Sequence, residues 1–251
     1  MTGEIIIPEN IAQAKKYLKQ KFVPLAGGTT LLLNRSANQK LLDLSKLKLN
    51  YIKYQKKSIN LGAMTTIGEL LEEKKLENIF GGLIPKALLT IGSNLNRQMI
   101  TVGGNIVGIH PWSVLPALFL LLNSRIKTIQ KKIYPAEKFF ATAPKSLLKN
   151  ELVSEVEIPL AWAKSIGRWE KLSLTATDYP LISVGVLPVE ESIRIVTVGL
   201  SLLPQLFIIA RKNIDKEIEN IGEKVKISQD IRASIEYKRE ILKNILTDIL
   251  Q

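Results

Sequence analysis

Two glycine pairs, in Ala26-Gly27-Gly28-Thr29-Thr30 and in Thr101-Val102-Gly103-Gly104-Asn105, carry the chemistry most legible in this sequence. Each follows an apolar stretch and precedes another, where a strand would turn and let the backbone approach a ligand. Paired glycines in such a turn take up positive φ and expose a row of N–H donors, which suits a phosphate. One such turn is most often only a tight turn. Two of them, each followed by a small polar residue (Thr29 and Asn105), suit a pyrophosphate and point to a dinucleotide.

Composition removes several other chemistries. The chain has no cysteine, so disulfides, thiolate metal sites, iron–sulfur clusters and thiol nucleophiles are excluded. A single histidine, His110, argues against a zinc site or a histidine-based triad. The net charge of +12 is spread over short clusters (Lys15-Lys16, Lys56-Lys57, Lys74-Lys75, Lys131-Lys132) without interleaved aromatics. That pattern argues against nucleic-acid binding, while its positive field favours an anionic cofactor or an acidic partner subunit. Residues Met1-Thr2-Gly3-Glu4 place no basic segment before an apolar run, and the apolar stretches 114–122 and 198–203 are too short to span a bilayer. A cytoplasmic protein without membrane association is expected.

The elements that must position the glycine pairs follow from periodicity. With 251 residues, 46% hydrophobic and 23% charged, the chain can build two medium domains or one large one. Ile11, Ala14 and Leu18 form a helical stripe behind Asn10. Short strands are expected at 22–26, just before the first glycine pair, at 41–44 and at 58–63, with a helical turn at 29–33. Thr66-Ile67-Gly68-Glu69 has the form of a capping box opening a helix. Helices should follow at 83–91 and, fully buried, at 115–122. Past residue 152 the pattern turns to strands at 152–158, 169–174, 181–187 and 193–200, divided by Pro159, Asp178-Tyr179-Pro180 and Pro188. Residues 202–251 read as helical. Ile231, Ile235, Leu242, Leu246 and Ile249 would line the inner face of a terminal helix, and Asp230 would lie near its start. A boundary near 162–167 divides the chain into 1–165 and 166–251.

The segments Ala26-Gly27-Gly28-Thr29, Gly62-Ala63-Met64-Thr65-Thr66-Ile67-Gly68-Glu69-Leu70 and Ile100-Thr101-Val102-Gly103-Gly104-Asn105-Ile106 together resemble the FAD-binding subunit of molybdenum hydroxylases. That family includes the medium subunit of carbon monoxide dehydrogenase and the flavin domain of xanthine dehydrogenase. The similarity continues in collinear order through Pro111, Leu115-Pro116-Ala117-Leu118, Lys171 and Asp178-Tyr179-Pro180-Leu181. It closes with 230–239, from Asp230 to Arg239. The resemblance implies an α+β chain. A two-subdomain FAD-binding fold of the PCMH type, with one small parallel sheet and one larger mixed or antiparallel sheet, would be followed by a C-terminal antiparallel sheet with a helical bundle. It also implies an oxidoreductase subunit that relays electrons and does not itself transform the organic substrate. A molybdenum-cofactor subunit and an iron–sulfur subunit would be its partners, with an acceptor such as NAD. The absence of cysteine agrees with clusters that lie in a partner chain.

Carried over residue by residue, the resemblance implies that Ala26, Gly27, Gly28, Thr29, Thr30 and Leu31 form the first turn around the FAD pyrophosphate. Thr101, Gly103, Gly104, Asn105 and Ile106 would form the second, with the Thr101 and Asn105 side chains donating. Lys171 matches a lysine near the flavin edge, where a cation favours negative charge on the ring; the residue itself reads equally as a strand lysine facing solvent. Asp178 matches an acidic position on the acceptor side, or serves as a turn residue. The chain departs from the family at Ser113-Val114, where a carboxylate usually contacts the flavin's polar chain, and in the loop carrying Ile109, His110 and Trp112. The loss of that carboxylate leaves a second reading open, a flavin-poor scaffold or assembly subunit of the same kind of complex.

Overall fold

A computed structural model of the chain describes residues 3–34 and 36–250. The first subdomain is built on a parallel sheet. It runs β1 (Ile5–Ile6), α1 (Ile11–Lys19), β2 (Val23–Leu25) and β3 (Leu41–Asp43), in the spatial order β1-β3-β2. Asn10 caps α1 by accepting from the Gln13 amide at 3.0 Å. Ala14 and Leu18 on its inner face meet Phe22, Leu42, Leu44 and Leu47 in a small separate core.

The second subdomain follows as β4 (Ile52–Tyr54), β5 (Ser58–Gly62), α2 (Ile67–Glu72), α3 (Leu83–Leu89), α4 (Asn94–Met99), α5 (Val102–Val107), α6 (Val114–Leu121), β6 (Arg125–Thr128), β7 (Ile133–Pro135), α7 (Ala136–Phe140), α8 (Pro144–Leu147) and β8 (Val153–Pro159). Its five strands pair antiparallel throughout, in the order β4-β5-β8-β6-β7. The capping box at Thr66 and Glu69 forms in both directions, at 3.2 Å from the Glu69 amide and 2.8 Å from the Thr66 amide. The other face of the sheet is polar. There Glu155 accepts from the Tyr51 hydroxyl (2.9 Å), the Asn60 amide (2.6 Å) and Lys127 Nζ (2.8 Å).

The third part is an antiparallel sheet, β9 (Arg168–Leu172), β10 (Ile182–Val189), β11 (Ser192–Val198) and β12 (Gln205–Ala210), in the order β12-β11-β10-β9, then α9 (Ile214–Lys224) and α10 (Ile235–Leu250). This sheet is apolar on both faces. Leu187, Val189, Val196 and Val198 join the core around α6, while Ile182, Val184, Val186, Ile193 and Ile195 pack with Ile218, Ile221, Leu242 and Leu246 of α9 and α10. Arg194 crosses between layers. Its guanidinium donates to the Leu120 and Leu121 carbonyls at 2.9 and 3.0 Å, closing the C-terminus of α6.

Two expectations are corrected here. Residues 205–210 are a strand, because Gln205-Leu206-Phe207-Ile208-Ile209-Ala210 pairs along β11, with only its last residues alternating in burial. Ile231 does not line the terminal helix. It is fully exposed, and α10 begins at Ile235, after a turn in which Asp230 holds both Arg232 (3.0 Å) and the buried Lys238 (2.8 Å).

Candidate cofactor site

β2 carries the chain to the first glycine pair. Leu44 donates to the Leu25 carbonyl at 3.0 Å, which ends the pairing with β3, and the backbone leaves the sheet at Ala26. A Cβ on Gly27 would fall 1.6 Å from the Met99 carbonyl oxygen, so only glycine lets the loop lie against the end of α4. Gly28 has φ of +72°, the left-handed region. Its carbonyl accepts from Leu32 at 3.0 Å, closing the helical turn over 29–33. Among the described residues, the backbone N–H groups of Ala26 through Leu31 donate to no protein acceptor. The loop is half-buried apart from Thr30. A half-buried row of unsatisfied amides is a fit for an anion.

The second glycine pair is built differently. It lies inside α5 rather than in a turn, and neither glycine has positive φ. The first amides of α5 all have partners: Val102 with the Thr65 carbonyl (2.9 Å), Gly103 with that of Ala63 (2.7 Å), Gly104 with Thr101 Oγ1 (3.1 Å) and Asn105 with the Thr101 carbonyl (3.0 Å). The reason is the segment after β5, whose carbonyls face the start of the helix. A Cβ on Gly103 would sit 2.9 Å from Ala63, so a small residue is needed for the two to dock. Thr101 therefore accepts as an N-cap, where the family pattern made it a donor. Thr101 and Ile106 are buried in the fold. What the second segment leaves free is the Asn105 side chain, whose Oδ1 is buried without a hydrogen-bond partner. A buried amide of this kind calls for a missing partner. The two segments touch: a Cβ on Gly104 would lie 3.9 Å from that of Ala26.

Beyond α5 the loop 108–113 carries an aromatic ladder. His110 stacks on Trp112 (centroids 5.0 Å apart, 3° between planes), and Trp112 on Tyr179 (4.4 Å, 29°). Burial and the nearby Lys145 charge hold the His110 imidazole below its ordinary pKa. Ser113 Oγ accepts from the His110 amide at 2.9 Å, and Val114, 1% exposed, fills the main core. The Asp178 carboxylate accepts from the next amide, Tyr179, at 2.8 Å, as a turn residue does.

Lys171 is half-buried, and its ammonium is fully engaged. Its ammonium donates to the carbonyls of Thr90 (3.2 Å), Ala176 (3.0 Å) and Asp178 (2.6 Å). Burial lowers its pKa, and the Asp178 charge opposes that shift. Sequence reasoning missed two further arrangements around α5. The ladder joins residues distant in sequence and had no local signal, whereas the Gly62-Ala63-Met64-Thr65-Thr66 segment was a visible motif whose service to α5 was not.

Three sheets, two of them in a divided N-terminal half whose glycine loop meets a glycine-bearing helix, define a two-subdomain flavin-binding fold with a C-terminal sheet-and-helix unit. Residues 1–161 match the family described as the FAD binding domain in molybdopterin dehydrogenase. The chain belongs to that family, and its cofactor is FAD. It is 28% identical, over 94% of its length and 92% of the relative's, to the glyceraldehyde dehydrogenase medium chain of Sulfolobus acidocaldarius. Among solved structures, CO dehydrogenase from Oligotropha carboxidovorans superposes with a TM-score of 0.88 at 22% identity, covering 100% of this chain and 96% of that one. Quinoline 2-oxidoreductase from Pseudomonas putida 86 does so with a TM-score of 0.88 at 17% identity and the same coverage. These structures share the fold, so the α+β architecture with its C-terminal sheet and helices agrees with the sequence expectation.

Proposed function

We propose that this chain is the electron-transfer subunit of a molybdenum hydroxylase complex, receiving electrons from the iron–sulfur clusters of a partner chain and passing them to an acceptor such as NAD. Bound FAD supplies the redox chemistry, and the protein supplies binding and electrostatic tuning. The observation that carries the reading is the acceptor-free row of amides from Ala26 to Leu31, packed against a helix whose Asn105 side chain also lacks a partner. In this reading Ala26, Gly27, Gly28, Thr29, Thr30 and Leu31 hold the pyrophosphate through backbone N–H groups. Asn105 Oδ1, an acceptor, takes a hydrogen bond from a hydroxyl or N–H of the cofactor and not from the phosphates. Thr101, Gly103, Gly104 and Ile106 set the position of that side chain by anchoring α5. The glyceraldehyde dehydrogenase relative is a medium chain, which supports a place among molybdenum and iron–sulfur subunits. The flavin-binding part would end near residue 165, and residues 166–251 would form the C-terminal domain.

The test is flavin retention. The purified chain, incubated with FAD and desalted, should keep about one flavin per chain by absorbance, and Gly104→Asp should lose it by setting a carboxylate against Ala26. A folded wild-type chain that keeps no flavin would overturn the reading in favour of the scaffold role.

A further inference from the structure

The three carbonyls around the Lys171 ammonium come from two loops. Thr90 ends α3, and Ala176 and Asp178 lie in the β9–β10 connection, immediately before Tyr179. An ammonium carries three donors and no acceptor, so this arrangement engages all of them. Tyr179 in turn stacks on Trp112, which follows α5 by a short loop whose Gly108 amide is bound to the Gly104 carbonyl at 2.9 Å. One further bond sets the same connection in place, as Arg232 donates to the Pro180 carbonyl at 3.1 Å, while Gly199 donates to the Pro111 carbonyl at 2.9 Å and fixes the loop that carries Trp112. Tyr179 is itself 57% exposed, so burial of its own ring does not hold it there.

We infer that Lys171 is a positioning residue: its ammonium clasps the β9–β10 connection to the end of α3, and so holds Tyr179 on Trp112, in the loop that directly follows the Asn105-bearing helix α5. The inference rests on the FAD reading of the cofactor site. It replaces the expected direct contact of Lys171 with the flavin by an action through Tyr179. A direct electrostatic contact and a clasp differ in what they couple to. A clasp has no effect once Tyr179 is gone, whereas a direct contact acts with or without it.

The experiment uses the full chain as wild type, Lys171→Met, Tyr179→Ala and the double variant, with two readouts. The first is near-ultraviolet circular dichroism of the FAD-free chain, with Trp112→Phe to identify the Trp112 contribution. The second is FAD affinity by titration. Lys171→Met and Tyr179→Ala should both diminish the Trp112 contribution in the FAD-free chain. Each should weaken FAD binding by about tenfold, the scale of one charge-assisted hydrogen bond, and the double variant should bind no worse than the poorer single one. Additive losses, or an unchanged Trp112 signal in Lys171→Met, would overturn the clasp. Should Lys171→Met fail to fold, Tyr179→Ala still decides, since an unchanged Trp112 signal and unchanged FAD affinity in it overturn the proposal. A wild-type chain that binds no FAD fails the site reading alone, because the FAD-free signal reports on the clasp by itself.

Discussion

Gly27 is the position where one methyl group should do most damage to the cofactor site and least to the fold. Its replacement by alanine places a Cβ 1.6 Å from the Met99 carbonyl oxygen and 2.8 Å from the carbonyl carbon. Both obstacles are backbone at the end of α4, so no rotamer change relieves them; the loop must move away from the helix. Overpacking costs about 1–3 kcal/mol where side chains can give, and a backbone obstacle belongs at the upper end. If the loop moves instead, the amides from Ala26 to Leu31 leave their places, and an energy of about 3 kcal/mol corresponds to roughly a hundredfold in affinity. Gly28→Ala supplies the graded comparison. Its Cβ meets side chains alone, Leu32 at 2.7 Å, which can rotate, and Leu25 at 3.4 Å, so the expense is the left-handed backbone, about 1–2 kcal/mol.

The assay is an FAD titration by quenching of flavin fluorescence, beside thermal melts of the FAD-free proteins. Gly27→Ala should lose about a hundredfold in affinity, and Gly28→Ala roughly tenfold. Neither should melt far below wild type, because Gly27 and Gly28 belong to none of the three hydrophobic cores. Gly27→Ala binding FAD within about threefold of wild type, a difference under ~0.7 kcal/mol, would refute the argument that this close approach shapes the site.

Two stability predictions rest on the layers behind the site. Arg194→Met should strand the buried Leu121 carbonyl and leave that of Leu120 with backbone amides alone. The loss should be roughly 3 kcal/mol, seen as a fall of roughly 5–10 °C in melting temperature; an unchanged melt would mean that water or another donor takes its place. Asp230 is pushed upward by burial, but hydrogen bonds from Lys238 and from the Arg232 amide and guanidinium outweigh that and hold its carboxyl well below the usual carboxylate range. A depressed folded pKa contributes stability that is fully present above the unfolded value, near ~3.9, and is lost as pH falls towards the folded one. Asp230→Asn should therefore be less stable than wild type at neutral pH, leaving Lys238 buried beside a neutral partner, with the difference shrinking below about pH 4 in denaturant titrations. A difference constant down to the acid limb would exclude Asp230 as its source.

How much of this was legible in the sequence depended on whether the signal was local. The capping box at Thr66, the stripe of α1 and the buried α6 each rest on neighbours within a turn or two, and each forms where the pattern placed it. Gln205–Ala210 hid its strand character because both faces of that sheet have apolar cover, so no strict alternation marked it. The glycine pairs make the same point at the site. Gly28 declares a positive φ that only a turn uses, and there the sequence and the backbone agree. Gly103 is small for a different reason, the approach of Ala63 from another element, and nothing beside it in the sequence separates the two cases. That difference has a chemical consequence. By residue type the two segments are equivalent donor rows for a pyrophosphate, yet Ala63, Thr65 and Thr101 occupy the amides of the second, while those of the first have no acceptor among the described residues. Whether a glycine motif offers its amides to a ligand is thus decided by what the rest of the fold places against it, and here, among the described residues, it is the loop after β2 whose amides have no protein acceptor.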